Sequence, residues 1–334
     1  MIFMKLKHKL HFFLAFILFI LPISVWAIPE YVVPGGENIG IKVSNEGVIV
    51  VGFYEVDGED VGRESGLVLG DVIKKVNGEA VSSIDDMVAK METGDIENTQ
   101  ITYERNGKEY DTALSVTKDD NGVYKTGLYV KDSILGIGSI TYIDTSSGIA
   151  TYGALGHEID EKNTAYKIEV KEGKIFASTV TGITKGTATT PGSKNARFDS
   201  SKILGNIKAN EASGIYGTYS EEVTKEAMKV GTKDDIQIGP ATILTVLNGD
   251  EVEEFDIEIL NLDPDHETKN ILFQVTDERL LESTGGIVQG MSGSPIIQND
   301  MIIGAVTHVV VSDPAKGYGI YLTTMLDEAE KQGT

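Results

Sequence analysis

The segment 285–308 reads GGIVQGMSGSPIIQNDMIIGAVTH, a Gly-Ser-rich knot between two apolar runs. Within it, Gly290-Met291-Ser292-Gly293-Ser294-Pro295 has the composition of a turn, since glycine and serine suit tight backbone. It also has what a serine nucleophile needs, because small neighbours let the chain bend sharply and leave Oγ exposed. A nucleophilic serine requires a base, and histidine is the side chain best matched to neutral pH. Of the five histidines, His8 and His11 lie in the N-terminal segment and His266 lies in the charged loop NLDPDHETKN. His308 lies in the apolar run 305–311, a setting typical of a structural histidine. His157 ends TYGALGH, where small residues leave room for a serine and a substrate, so it is the best base by elimination. A buried carboxylate would then orient the imidazole. Asp144, Asp160, Asp256, Asp263 and Asp277 all qualify by composition. Asp277 follows the apolar run 271–275 and so sits at a strand end, but spacing alone does not single it out.

Other chemistries fare worse. The chain has no cysteine, which excludes disulfides, thiolate metal sites and a cysteine nucleophile. His157-Glu158 opens a zinc-protease pattern, but Glu161 stands where the second histidine belongs. No metal and no cofactor is expected. The net charge of -22 repels nucleic acid and anionic membrane surfaces.

The chain begins with a targeting segment over residues 1–27. Lys5, Lys7 and Lys9 give a basic start, 10–27 is an apolar stretch broken by His11 and Pro22, and Val25-Trp26-Ala27 suits a signal peptidase. An uncleaved membrane anchor is the alternative reading. Both readings put the remainder outside the cytoplasm.

Residues 31–117 mix strand and helix patterns. Strands are expected over 39–43, 48–53, 99–103 and 110–116, and Asn106-Gly107 marks a hairpin turn. A helix is expected over 84–91, with Ile84, Met87, Val88 and Met91 on one face. The turn from Gly66 to Asp71, the Val72-Ile73 strand and the Asn77-Gly78 turn resemble a bacterial PDZ domain. The resemblance implies a peptide ligand added as a strand, its carboxylate held by backbone N–H groups of the loop Asn38, Ile39, Gly40 and Ile41.

Residues 118–334 read as short β-branched runs with turns at close spacing, ending in a helix over 323–332 capped by Thr323 or Thr324. That pattern defines an all-β barrel or sandwich. The whole chain is thus expected to be mostly β with one α+β module. Gly290-x-Ser292-Gly293-x-Pro295 matches the nucleophile motif of chymotrypsin-like serine peptidases. The blocks TGLYVKDSILGIGSITYID, YGALGHEI and GGIVQGMSGSPIIQNDMIIGAVTHV resemble the sporulation stage IV B peptidase family.

The resemblance implies a chymotrypsin-like double β-barrel with a triad of His157, Asp277 and Ser292, the aspartate only 15 residues before the serine. It implies an oxyanion hole from the backbone N–H groups of Gly290 and Ser292, with Ser294 supporting the turn. It further implies secretion from the forespore, self-cleavage, and cleavage of a membrane-associated regulator of an intramembrane protease between the two membranes. That cut would activate a late sigma factor. The PDZ groove would hold part of the chain itself in the inactive form. Two rivals stand beside this reading. One is a PDZ adaptor carrying an inactive peptidase domain. The other is a periplasmic quality-control protease, in which the PDZ would follow the protease.

Overall fold

The computed structural model describes residues 28–334 apart from 163, 165, 188 and 189. The targeting segment read over 1–27 lies outside the described residues. Among those residues no helix is long and apolar enough to cross a membrane.

The chain enters on β1 (Tyr31–Pro34) and β2 (Asn38–Phe53). A small α+β module follows: α1 (Val61–Glu64), β3 (Val72–Val76), β4 (Glu79–Ala80), α2 (Ile84–Met91), β5 (Thr99–Arg105) and β6 (Lys108–Leu114). The ribbon β7 (Thr117–Lys118) and β8 (Tyr124–Lys125) leads into β9 (Leu128–Asp144). Local chemistry sets these elements. Asn106 and Gly107 both take positive φ and join β5 to β6 as expected. The Ser83 hydroxyl accepts from the Asp86 N–H and caps α2, whose bounds match the periodicity.

Next come β10 (Thr151–Ala154), the ribbon β11 (Asp160–Glu161) and β12 (Tyr166–Lys167), then β13 (Val170–Thr184), β14 (Ser193–Ile207), β15 (Ala209–Glu211) and β16 (Gly214–Thr218). Pairing runs β2–β13–β14, and β16–β10–β9–β2. The Gly205–Tyr219 bridge and the Ser220 N–H on the Leu204 carbonyl join β14 to the end of β16 and close a six-stranded barrel. Ile39, Ile41, Ile140, Tyr152, Ile175 and Ile215 fill it.

The second half comprises β17 (Met228–Val230), β18 (Gly239–Thr245), β19 (Glu253–Leu262), β20 (Ile271–Val275), α3 (Glu278–Thr284), β21 (Pro295–Gln298), β22 (Met301–Val309), β23 (Lys316–Tyr321) and α4 (Leu322–Lys331). The circuit β18–β19–β20–β23–β22–β21–β18 closes a second six-stranded barrel around Ile243, Phe255, Ile257, Phe273 and Ile296. β1 links the two by pairing with β9 and with β17. α4 packs Leu322, Met325 and Leu326 into the cluster between them. Its N-cap is Tyr321, without a side-chain bond, and neither Thr323 nor Thr324 caps it.

Two expectations change. The stretches 39–43 and 48–53 form one continuous strand, and its first half belongs to the first barrel. β9 is likewise shared: 133–139 pair with 38–44 in the barrel, and 128–131 pair with 49–53 in the α+β module. The module is therefore an insertion within the first barrel, and a boundary at 117 does not separate the two units.

The loop Asn38, Ile39, Gly40 and Ile41 is also not a ligand loop. These four residues are buried, with β9 on one edge and, over 39–41, β13 on the other, so no free edge is left for a peptide. Gly40 is required by packing, since a Cβ there would lie 2.6 Å from the Phe198 ring.

Candidate active site

The segment after α3 is pinned from both barrels. Gly285 ends α3 in the left-handed conformation. From the first barrel, Ser139 donates its N–H to the Ser292 carbonyl (2.8 Å) and its Oγ to the Gly290 carbonyl (3.0 Å). Thr141 Oγ1 donates to the Gly293 carbonyl at 2.9 Å. From the second barrel, the Val306 carbonyl accepts from the Gly293 N–H at 2.8 Å. Gly290 and Gly293 hold φ of 96° and 92°, where a side chain is disfavoured. A Cβ on Gly293 would also lie 2.5 Å from the Leu155 nitrogen.

This scaffold separates the two serines. Ser294 is fully buried, with Oγ 3.5 Å from Ser139 Oγ, so it supports the turn. Ser292 is partly exposed and its Oγ donates to the Thr307 carbonyl at 3.1 Å. The N–H groups of Gly290 and Ser292 find no acceptor among the described residues. Two unpaired donors flanking an accessible hydroxyl are what a developing oxyanion needs.

His157 reaches the same place from β10. Leu155 and Gly156 both take positive φ, 70° and 71°, and turn the chain off the strand. Positive φ at a buried leucine is strained. Gly156 has no room for a side chain, because a Cβ would lie 2.8 Å from Thr307 Cγ2. The His157 ring follows, half-buried, with Nδ1 2.7 Å from the Glu158 carbonyl. A carbonyl only accepts, so Nδ1 carries the proton and Nε2 keeps its lone pair. Burial pushes the imidazole below its ordinary pKa, opposed by the Glu158 carbonyl and the charge of Asp160.

His308 completes the cluster. Its ring centroid stands 5.3 Å from that of His157, the planes inclined at 44°. The residue as a whole is exposed, but partial burial of its ring, then the charges of His157 and Lys269, push its pKa down to about 4. The apolar run around His308 predicts a structural histidine, whereas the structure sets its ring against that of His157. The signal that finds it is hairpin register: Pro295 pairs with Ala305 across the turn at Asn299-Asp300, which sets 308 opposite 292.

The expectation for Asp277 is not met in this geometry. Its Oδ1 accepts from the N–H groups of Arg279 (2.8 Å) and Leu280 (3.2 Å), so it is the N-cap of α3. Its Oδ2 accepts from Arg279 Nη2 at 2.9 Å. Burial raises its pKa, but the Arg279 side chain and these N–H groups outweigh that and hold it below the usual range. Register explains the separation. His308 is level with Tyr318, and Tyr318 with Leu272. Asp277 lies five residues further along, roughly 16 Å at the ordinary strand rise. The exposed Asp160 contributes only a favourable charge to the protonated His157 ring. Thr307 joins the parts of the site: its carbonyl accepts from Ser292 Oγ, its methyl lies against Gly156, the residue before His157, and His308 follows it, whereas Asp277 is engaged at the start of α3.

Two closed six-stranded barrels with a serine loop wedged between them define a chymotrypsin-like serine peptidase. The family model described as SpoIVB peptidase S55 matches residues 122–326, and the chain belongs to that family. Among solved structures, the active form of the Rv3671c protease from M. tuberculosis is similar at 14% identity, over 60% of this chain and 75% of that one, with a TM-score of 0.34. Human heparin binding protein is similar at 9% identity, over 58% and 84%, with a TM-score of 0.30. The PDZ domain of the SdrC-like protein from Listeria monocytogenes is similar at 23% identity, over 27% and 93%, with a TM-score of 0.23. No curated protein matches the chain.

Proposed function

We propose that this protein is an exported serine endopeptidase of sporulation, with Ser292 as nucleophile and His157 as base. One observation carries this reading: Ser292 is the accessible serine of its loop, flanked by two unpaired N–H groups, and its Oγ is held by Thr307, whose methyl lies against Gly156 next to His157. His157 Nε2 takes the Oγ proton as Oγ bonds to the scissile carbonyl carbon. The carbonyl oxygen becomes an oxyanion facing the N–H groups of Gly290 and Ser292. The imidazolium returns the proton to the leaving amine, and water then releases the acyl group by the same steps in reverse order. The Glu158 carbonyl fixes the tautomer, a task often given to a carboxylate, and Asp160 favours the cation.

The substrates in this reading are the protein's own chain and a membrane-associated regulator lying between mother cell and forespore. Residues 1–27 direct the export. The α+β module binds a peptide as a PDZ domain does, through a surface other than residues 38–41. The test is labelling of the full chain and of Ser292→Ala with a fluorophosphonate, mapped by peptide mass. An adduct on Ser292, absent from the variant, is expected. No adduct on either chain would overturn the peptidase reading and leave an adaptor with an inactive peptidase domain.

A further inference from the structure

His308 has no role in the steps above, yet it faces the base. No described group hydrogen-bonds either of its ring nitrogens, and the residue is exposed. Its distance from His157 is informative. A zinc ion sits about 2.0–2.1 Å from each histidine nitrogen in tetrahedral sites, which puts two bound ring centroids roughly 5 Å apart. The observed separation is 5.3 Å. A second, independent feature points the same way. Metal-binding histidines donate the other ring N–H to a carboxylate or a backbone carbonyl, which fixes the ring and the tautomer. His157 does this through Nδ1 on the Glu158 carbonyl.

We propose that His157 and His308 form a chelating site for a zinc-class divalent cation, and that its occupancy silences the peptidase by taking the Nε2 lone pair of His157. This rests on the assignment of His157 as base. Among the described residues no group of three or more His, Cys, Asp or Glu gathers, so the protein offers two ligands and leaves the other positions to water or Ser292 Oγ. Such an open two-ligand site binds reversibly and more weakly than a closed four-ligand structural site. Nitrogen ligands also exclude magnesium and calcium, which take oxygen.

The test uses the full chain, zinc chloride and the fluorophosphonate, with calorimetric titration of zinc in parallel. Saturating zinc is expected to slow labelling of Ser292 at least tenfold. EDTA should reverse this, and magnesium should have no effect. In His308→Gln the zinc affinity should fall at least tenfold, with the labelling rate, relative to the same variant without zinc, almost insensitive to the metal. His266→Gln, in the exposed loop, should behave as wild type. Equal slowing in wild type and His308→Gln, or none in wild type, overturns the proposal. A chain that never labels counts against the peptidase reading. The calorimetry still decides the metal site, which stands only if wild type binds zinc and His308→Gln loses it.

Discussion

At the residue scale, the site turns on which atoms already have partners. Ser294 is buried and Ser292 is accessible, so the turn itself decides between two neighbouring hydroxyls. Asp277 is the opposite case, a carboxylate whose acceptor sites are already engaged by α3 and Arg279. The two roles imagined for it respond differently to substitution. A triad aspartate replaced by asparagine costs about four orders of magnitude in rate through the wrong tautomer. An N-cap tolerates the same change, because asparagine caps as well as aspartate, whereas alanine costs about 1 kcal/mol. Asp277→Asn is therefore expected to keep Ser292 labelling within about threefold, a margin well below the effect of losing a triad member. Asp277→Ala should lower the unfolding midpoint in urea. A collapse of labelling in Asp277→Asn with unchanged stability would restore the triad assignment.

At the element scale, the nucleophile loop is an insert gripped by strands, and one grip is unusual. β14 pairs with the loop through the Lys194 N–H on the Gln289 carbonyl. The Lys194 stem lies beside Gly290, where a Cβ would come within 3.2 Å of its own Cβ. Its Nζ donates to Thr245 Oγ1 at 2.9 Å in a buried site, and burial pulls its pKa down to about 7. In the unfolded chain the amine titrates near 10.5. Between these values the unfolded state binds more protons, so stability rises with pH across about 7 to 10.5, and the full cost is felt below 7. The cost is on the order of a few kcal/mol. Lys194→Met is expected to be more stable than wild type at pH 6 and to flatten that slope, as read by urea unfolding at several pH values.

Much of this level was legible in the sequence. β-branched runs gave the strands, Asn106-Gly107 the hairpin, and 84–91 the helix. The signals for α3 are also present, Asp277 before a helix-forming run as a start and Gly285 after it as a stop. Reading Asp277 as catalytic hid its capping role. Strand pairing was illegible for a physical reason: alternation reports which face is buried, not which neighbour binds each edge.

At the scale of the whole molecule, that missing information becomes a domain boundary. The α+β module has its own core, with Val50, Leu67, Ile73, Met87, Met91, Ile101 and Leu114 buried together. It hangs from two strands that continue without interruption into the first barrel. The chain thus places the module inside the peptidase unit, although a linear reading puts it in front. Two deletions separate these views. Residues 118–334 alone lack β1 and β2, so β9 and β13 lose the strand between them and the first barrel cannot close. That fragment is expected to be aggregated or unfolded by circular dichroism and thermal denaturation. Ser44 and Ser133, by contrast, are register partners across the point where the module leaves the barrel. Replacing 45–132 with Asn-Gly closes β2 on β9 with the preferred two-residue hairpin turn. This shortened chain should unfold cooperatively and still label at Ser292, because the strands that reach the serine loop, β9, β14 and β22, keep their contacts with it. A folded 118–334 fragment, or a shortened chain that fails to fold, would mean that the module and the barrel are joined in some way other than an insertion.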